Sequence, residues 1–92
     1  MSRIKIERPT EKMLKELGID KWSPWECEPS TFDWEYPADE TAYVFEGRVK
    51  VKTKDEEVEI KKGDLVTFPK GLKCKWNVIE RIRKAYIFNP KT

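Results

Sequence analysis

The sequence predicts an all-β domain, a barrel or sandwich built from six or seven short strands and preceded by one short helix. Three observations carry this. The chain has 92 residues, enough for one modest core and too few for two. Apolar and polar residues alternate through most of the chain after residue 30, the period of a half-buried strand. Turn residues punctuate that alternation at short intervals: Pro37-Ala38-Asp39, Gly47, Lys54-Asp55-Glu56, Lys62-Gly63-Asp64 and Pro69-Lys70-Gly71.

Each element has its own reason. Ile4-Lys5-Ile6 suits a short edge strand. Pro9 to Gly18 reads as one short helix: Thr10 is a fitting N-cap, Met13, Leu14 and Leu17 share a face, and Gly18 is a natural C-terminal stop. Two prolines, Pro24 and Pro29, keep any strand around Trp22 and Trp25 short or at an edge. Those two tryptophans are expected to pack over the outer sheet or at a dimer contact. The strands then follow as Thr31 to Tyr36, Thr41 to Glu46, Arg48 to Thr53, Val58 to Ile60, Leu65 to Phe68, Lys73 to Val78 and Arg83 to Phe88. Residues 1–92 form a single domain in this reading.

Composition narrows the function classes. Charged residues make up 39% of the chain, but 19 basic and 17 acidic side chains leave a formal charge of only +2, and the two signs are interleaved. A nucleic-acid surface needs a basic excess on one face, so binding to single strands by an OB-like barrel is disfavoured. No apolar run reaches bilayer length and the start lacks a signal peptide's apolar stretch, so a cytoplasmic protein without a membrane partner is expected. Cys27 and Cys74 are then expected as thiols. The absence of glutamine and the abundance of Glu and Lys lean toward a thermostable protein.

Two stretches carry a resemblance. Glu40-Thr41-Ala42-Tyr43-Val44-Phe45-Glu46-Gly47 is a glutamate, six residues and a glycine; Gly63-Asp64-Leu65-Val66-Thr67-Phe68-Pro69-Lys70-Gly71 is a glycine, five residues, then proline, one residue and glycine. In this order and joined by a hairpin they resemble the paired motifs of the cupin superfamily over residues 31 to 88. The details are most similar to small single-domain cupins related to ureidoglycine aminohydrolase and to an ethanolamine-utilisation protein. The resemblance implies a jelly-roll β-barrel, with Glu40 pointing inward, and commonly a homodimer paired through its sheets.

The chain departs from the metal-binding members in one respect: it contains no histidine. Depending on the spacing taken, the first motif's histidine pair falls on Asp33 and Glu35 or on Trp34 and Tyr36, and the third histidine position is Cys74. Glu40 and Cys74 with one or two carboxylates would offer a divalent ion competent donors, though with uncompensated negative charge. The aromatic register offers no cage, and the working expectation is no cofactor and no metal.

Glu40 and Cys74 are therefore the candidate catalytic groups, each with a bland alternative: a structural carboxylate, and a small buried hydrophobe. Papain-type catalysis is excluded by the missing histidine. Trp34, Tyr36, Tyr43 and Trp76 are candidates to line a ligand pocket, or to be core. Two functions follow from these residues. One is a cupin that binds or converts a small organic molecule inside the barrel without the usual histidine site. The other is a non-catalytic dimeric module with a filled barrel.

Overall fold

A computed structural model describes residues 4–88, which form seven strands, one α-helix and one 3₁₀ turn. Strand β1 (Lys5–Glu7) leads into α1 (Glu11–Leu17), whose Thr10 side chain accepts a hydrogen bond from the Met13 amide at 3.2 Å. Gly18 ends the helix in the left-handed region at φ 69°, its amide donating to the Leu14 and Lys15 carbonyls. After a 3₁₀ turn (Ile19–Lys21) come β2 (Ser23–Cys27), β3 (Ser30–Glu35), β4 (Glu40–Lys52), β5 (Glu57–Lys61), β6 (Leu65–Phe68) and β7 (Lys73–Phe88).

All the pairings are antiparallel. The two long strands β4 and β7 pair along their length and serve two layers in turn. The first half of β4 and the second half of β7 join β6, β1 and β2, in the order β1-β6-β4-β7-β2. The second half of β4 pairs β5, and the first half of β7 pairs β3. Residues 44–49 of β4 carry the bend between the layers, and the register against β7 shifts there three times. Folding one half over the other places Val44, Val49, Val51, Ile60, Val66, Phe68, Val78 and Ile82 in a common core. This is an all-β jelly-roll arrangement with one short N-terminal helix, as the resemblance implies.

Two strand boundaries are corrected. Thr41 to Glu46 and Arg48 to Thr53 are one strand, and so are Lys73 to Val78 and Arg83 to Phe88. Gly47 is not a hairpin turn. It sits at φ 99° inside β4, where a Cβ would run into the Arg81 carbonyl and lie 2.6 Å from the Ile82 Cα. The glycine is needed because the two long strands touch backbone to backbone at the bend. The helix, in turn, buries no residue: Met13 and Leu17 stay about two-fifths exposed (42% and 43%). No helix is long and apolar enough to cross a membrane among the described residues.

Candidate functional site

Alternation along four strands, β2, β3, β4 and β7, aims side chains into one cavity. On β3, Phe32 and Trp34 share a face, and Tyr36 follows them just beyond the strand. On β7 the even-numbered residues on either side of the bend point inward, the exposed Glu80 at the bend excepted, so Trp76, Lys84, Tyr86 and Phe88 line it. Trp25 of β2 lies directly opposite Lys84, and Glu40 opens β4 opposite Phe88. Together they enclose a cavity of about 390 Å³, within the usual size of a small-molecule site.

The walls are aromatic and mutually packed. Phe32 stacks on Trp76 with centroids 6.1 Å apart, Trp25 meets Trp76 edge-on at 5.9 Å, and Trp34 meets Tyr36 edge-on at 6.3 Å. Tyr36 stacks on Phe68 at 4.6 Å and accepts a hydrogen bond from Trp76 Nε1 at 3.2 Å. Burial, with a further push from Glu40, holds the Tyr36 phenol far above its ordinary range, so it stays a neutral hydroxyl. Trp34 is the outermost of these rings, at 45% exposure.

The polar part of the cavity is an ion pair. Lys84 Nζ donates to Glu40 Oε2 at 3.0 Å, and the two residues are only 6% and 4% exposed. The ammonium also lies 4.7 Å from the Trp76 ring centroid, 5.0 Å from Trp25 and 5.7 Å from Tyr86. Its quadrupole partners and its carboxylate compensate for lost hydration. Even so, burial outweighs Glu40 and draws the Lys84 pKa below that of a free lysine.

The structure thus brings together Glu40, Trp34, Tyr36 and Trp76 and leaves two sequence candidates outside. Tyr43 is three residues from Glu40 and so faces the other side of β4, where it packs edge-on against Phe45 at 5.3 Å. Cys74 shares the parity of Trp76 but is packed into the core beside the cavity, its thiol 3.6 Å from the Trp34 carbonyl. Burial raises that thiol to about 11, a protonated and inert state at neutral pH. Trp25 does not pack over the outer sheet but forms a wall of the cavity; Trp22 is outside the lining.

Lys84 is the charged residue of the cavity that sequence reasoning passed over. Its signal was parity: Cys74, Trp76, Val78, Ile82 and Lys84 are one face of a continuous strand, so a lysine falls among inward residues. Splitting β7 in two hid it.

A divalent metal of the kind held by histidine-bearing cupins does not fit these residues. The histidine-pair positions that face inward carry the Trp34 and Tyr36 rings, whereas Asp33 and Glu35 are exposed. The cavity's carboxylate already holds a lysine cation. Among the described residues no group of three or more potential ligands converges. Cys27 and Cys74 are free thiols.

Two antiparallel layers folded about a shared pair of long strands, with the cavity opening over the Glu40 motif, define a small cupin. The chain belongs to the EutQ-like cupin domain family, whose profile matches residues 14–86. Among solved structures it is similar to a DUF861 family protein from Thermotoga maritima, at 55% identity and TM-score 0.91 over 92% of this chain and 98% of that one. It is also similar to the EutQ protein of Clostridium difficile, at 31% identity and TM-score 0.67 over 73% of this chain and 53% of that one. The curated acetate kinase EutQ of Clostridioides difficile (strain 630) is 32% identical over 65 residues, 71% of this chain and 41% of that protein. The chain therefore spans about two-fifths of the length of that relative.

Proposed function

We propose that this cupin takes up a small, flat organic molecule between the aromatic walls and orients it through Lys84 and Glu40. The observation that carries this reading is the buried ion pair at an otherwise apolar cavity. An ammonium has three N–H donors, and the hydrogen bond described for Lys84 uses one of them, on Glu40. A carbonyl or carboxylate oxygen entering the cavity would take another, and Glu40 would accept an N–H from an amide, urea or amine on the same molecule. Ring faces of Trp25, Phe32 and Trp76 supply stacking area. The arrangement suits a metal-independent site for a carbonyl-bearing ligand. It favours this over a barrel filled by its own side chains, in which no cavity of this size would be left open.

The phosphoryl chemistry named for the longer acetate kinase relative is not assigned to this chain, because one compensated cation in an apolar pocket is a poor cradle for a polyphosphate. The test is an amide and indole NMR titration with benzamide, benzoate and phenylurea. The four tryptophans report separately: indole signals of Trp25, Trp34 and Trp76 should move, and that of Trp22 should stay. Lys84→Met should weaken benzoate binding by about tenfold or more, the usual worth of a hydrogen bond to a charged group. No indole shift with any of the three compounds at millimolar concentration would refute the reading.

A further inference from the structure

An amine that is buried, yet lines an open cavity, has a chemistry that surface lysines lack. Most lysines are ammonium ions at neutral pH, with roughly one molecule in two thousand carrying the free amine. Lys84 sits among three ring faces with one carboxylate oxygen 3.0 Å from its nitrogen. That oxygen is within direct proton-transfer distance, and the transfer replaces a buried ion pair by two neutral groups.

We propose that Lys84 is a nucleophile which forms imines with small aldehydes or ketones held in this cavity, Glu40 relaying the proton; the proposal rests on the ligand reading above and extends it to a reaction. The Glu40 carboxylate takes one proton from the Lys84 ammonium. The freed nitrogen lone pair attacks the carbonyl carbon, the C–N bond forms, and the second N–H proton passes to the carbonyl oxygen, giving a carbinolamine. Glu40 returns its proton to that hydroxyl, the C–O bond breaks and water leaves. The product is a protonated imine paired with the Glu40 carboxylate. One carbonyl oxygen and two ammonium protons depart as one water, and nothing is oxidised or reduced.

Two further features fit this assignment. Desolvation lowers the pKa of Lys84 in spite of Glu40, which raises the share of free amine. The competing nucleophile, Cys74, is held in the core outside the cavity lining with its thiol protonated. The other titratable groups facing Lys84 are Tyr36, kept neutral by burial, and Tyr86.

The experiment treats the whole protein with benzaldehyde and cyanoborohydride at pH 7 and maps the benzylated lysines by peptide mass spectrometry. The expected result is labelling of Lys84 at least about tenfold faster than of exposed lysines such as Lys52 and Lys54, because the cavity holds the aldehyde beside the amine. Glu40→Gln should slow the labelling more than it weakens benzamide binding, because benzamide occupies the cavity without reacting. Labelling of Lys84 no faster than the exposed lysines overturns the proposal and needs no variant to read. Benzamide shifts that persist in that case leave the ligand reading standing. Their absence removes both.

Discussion

Glu40 and Lys84 are an expensive pair to bury, and the cost shows what each holds in place. Taking two ions out of water costs several kcal/mol apiece, and mutual attraction returns it only when both partners are present. Lys84→Met alone leaves the carboxylate buried without its partner, and Glu40→Gln alone strands the ammonium among rings. Each single change is expected to cost about 3–5 kcal/mol in denaturant unfolding. Glu40→Leu combined with Lys84→Met should recover most of that loss while abolishing ligand binding; a double variant as unstable as the sum of the singles would mean that the pair supports the fold in its own right. Cys74 allows a pH test with a definite sign. Its thiol is raised to about 11 from an ordinary value of 9.0, so the folded state holds a proton the unfolded chain releases, and stability falls as pH climbs from about 9 to 11. Lys84, shifted downward, has the opposite sign, but it is common to the wild type and a Cys74→Ala variant. The alkaline decline between pH 9 and 10 should therefore be shallower in Cys74→Ala, as followed by urea midpoints; parallel curves would place the thiol in contact with solvent. Of these residues the sequence revealed Glu40 through its motif. It did not reveal Lys84, because no short motif contains it and its partner lies 44 positions away.

At the scale of elements, the long strands β4 and β7 decide where the site forms. The bend at Gly47 lets β4 serve both layers, and β7, bending with it, carries Trp76 in one layer and Lys84 in the other. The cavity is thus spanned by one strand. Composition and alternation were enough to find nearly every β segment, since alternation is a local property of the chain. They were not enough to tell a turn from a bend inside a strand: glycine permits both, and what separates them is the approach of Arg81 and Ile82 from β7, which alternation does not encode. Tyr43 failed as a pocket residue for a simpler reason, since three residues from Glu40 is odd parity. Gly47 and Gly71 give a matched test. Both have positive φ (99° and 83°), but an added Cβ meets backbone at Gly47 and nothing within 4 Å at Gly71. Gly71→Ala should cost about 1–2 kcal/mol, the conformational penalty alone. Gly47→Ala should cost about 3 kcal/mol or more, because backbone must move as well. Equal losses in guanidinium melts would show that the strands can separate at the bend without penalty.

Across the whole molecule, the weak point of this design is the bend itself, where the β4–β7 ladder loses register. Ion pairs gather there. Arg48 reaches Glu80 at 3.4 Å and Glu59 at 3.7 Å, joining β4 to β7 and β5. Arg83 contacts Glu46 at 3.2 Å and lies 4.9 Å from the Phe45 ring centroid, and Arg81 holds Glu26 at 2.8 Å and Glu28 at 3.0 Å. Isolated exposed pairs of this kind contribute little at room temperature, but clustered pairs that tie several strands together lose less of their benefit on heating, since charged groups become cheaper to desolvate. The same surface carries the Glu- and Lys-rich composition that leans toward thermostability. The expected melting temperature is therefore above the mesophile range of about 45–65 °C. It should also depend on salt. Raising NaCl from about 10 mM to 1 M shortens the Debye length from roughly 30 Å to 3 Å, and the melting temperature should fall by several degrees in calorimetry. Arg48→Met should lower it at low salt and by much less at high salt. A melting temperature within the mesophile range, or one indifferent to salt in both proteins, would show that the bend is held by the core and the Gly47 backbone contact alone.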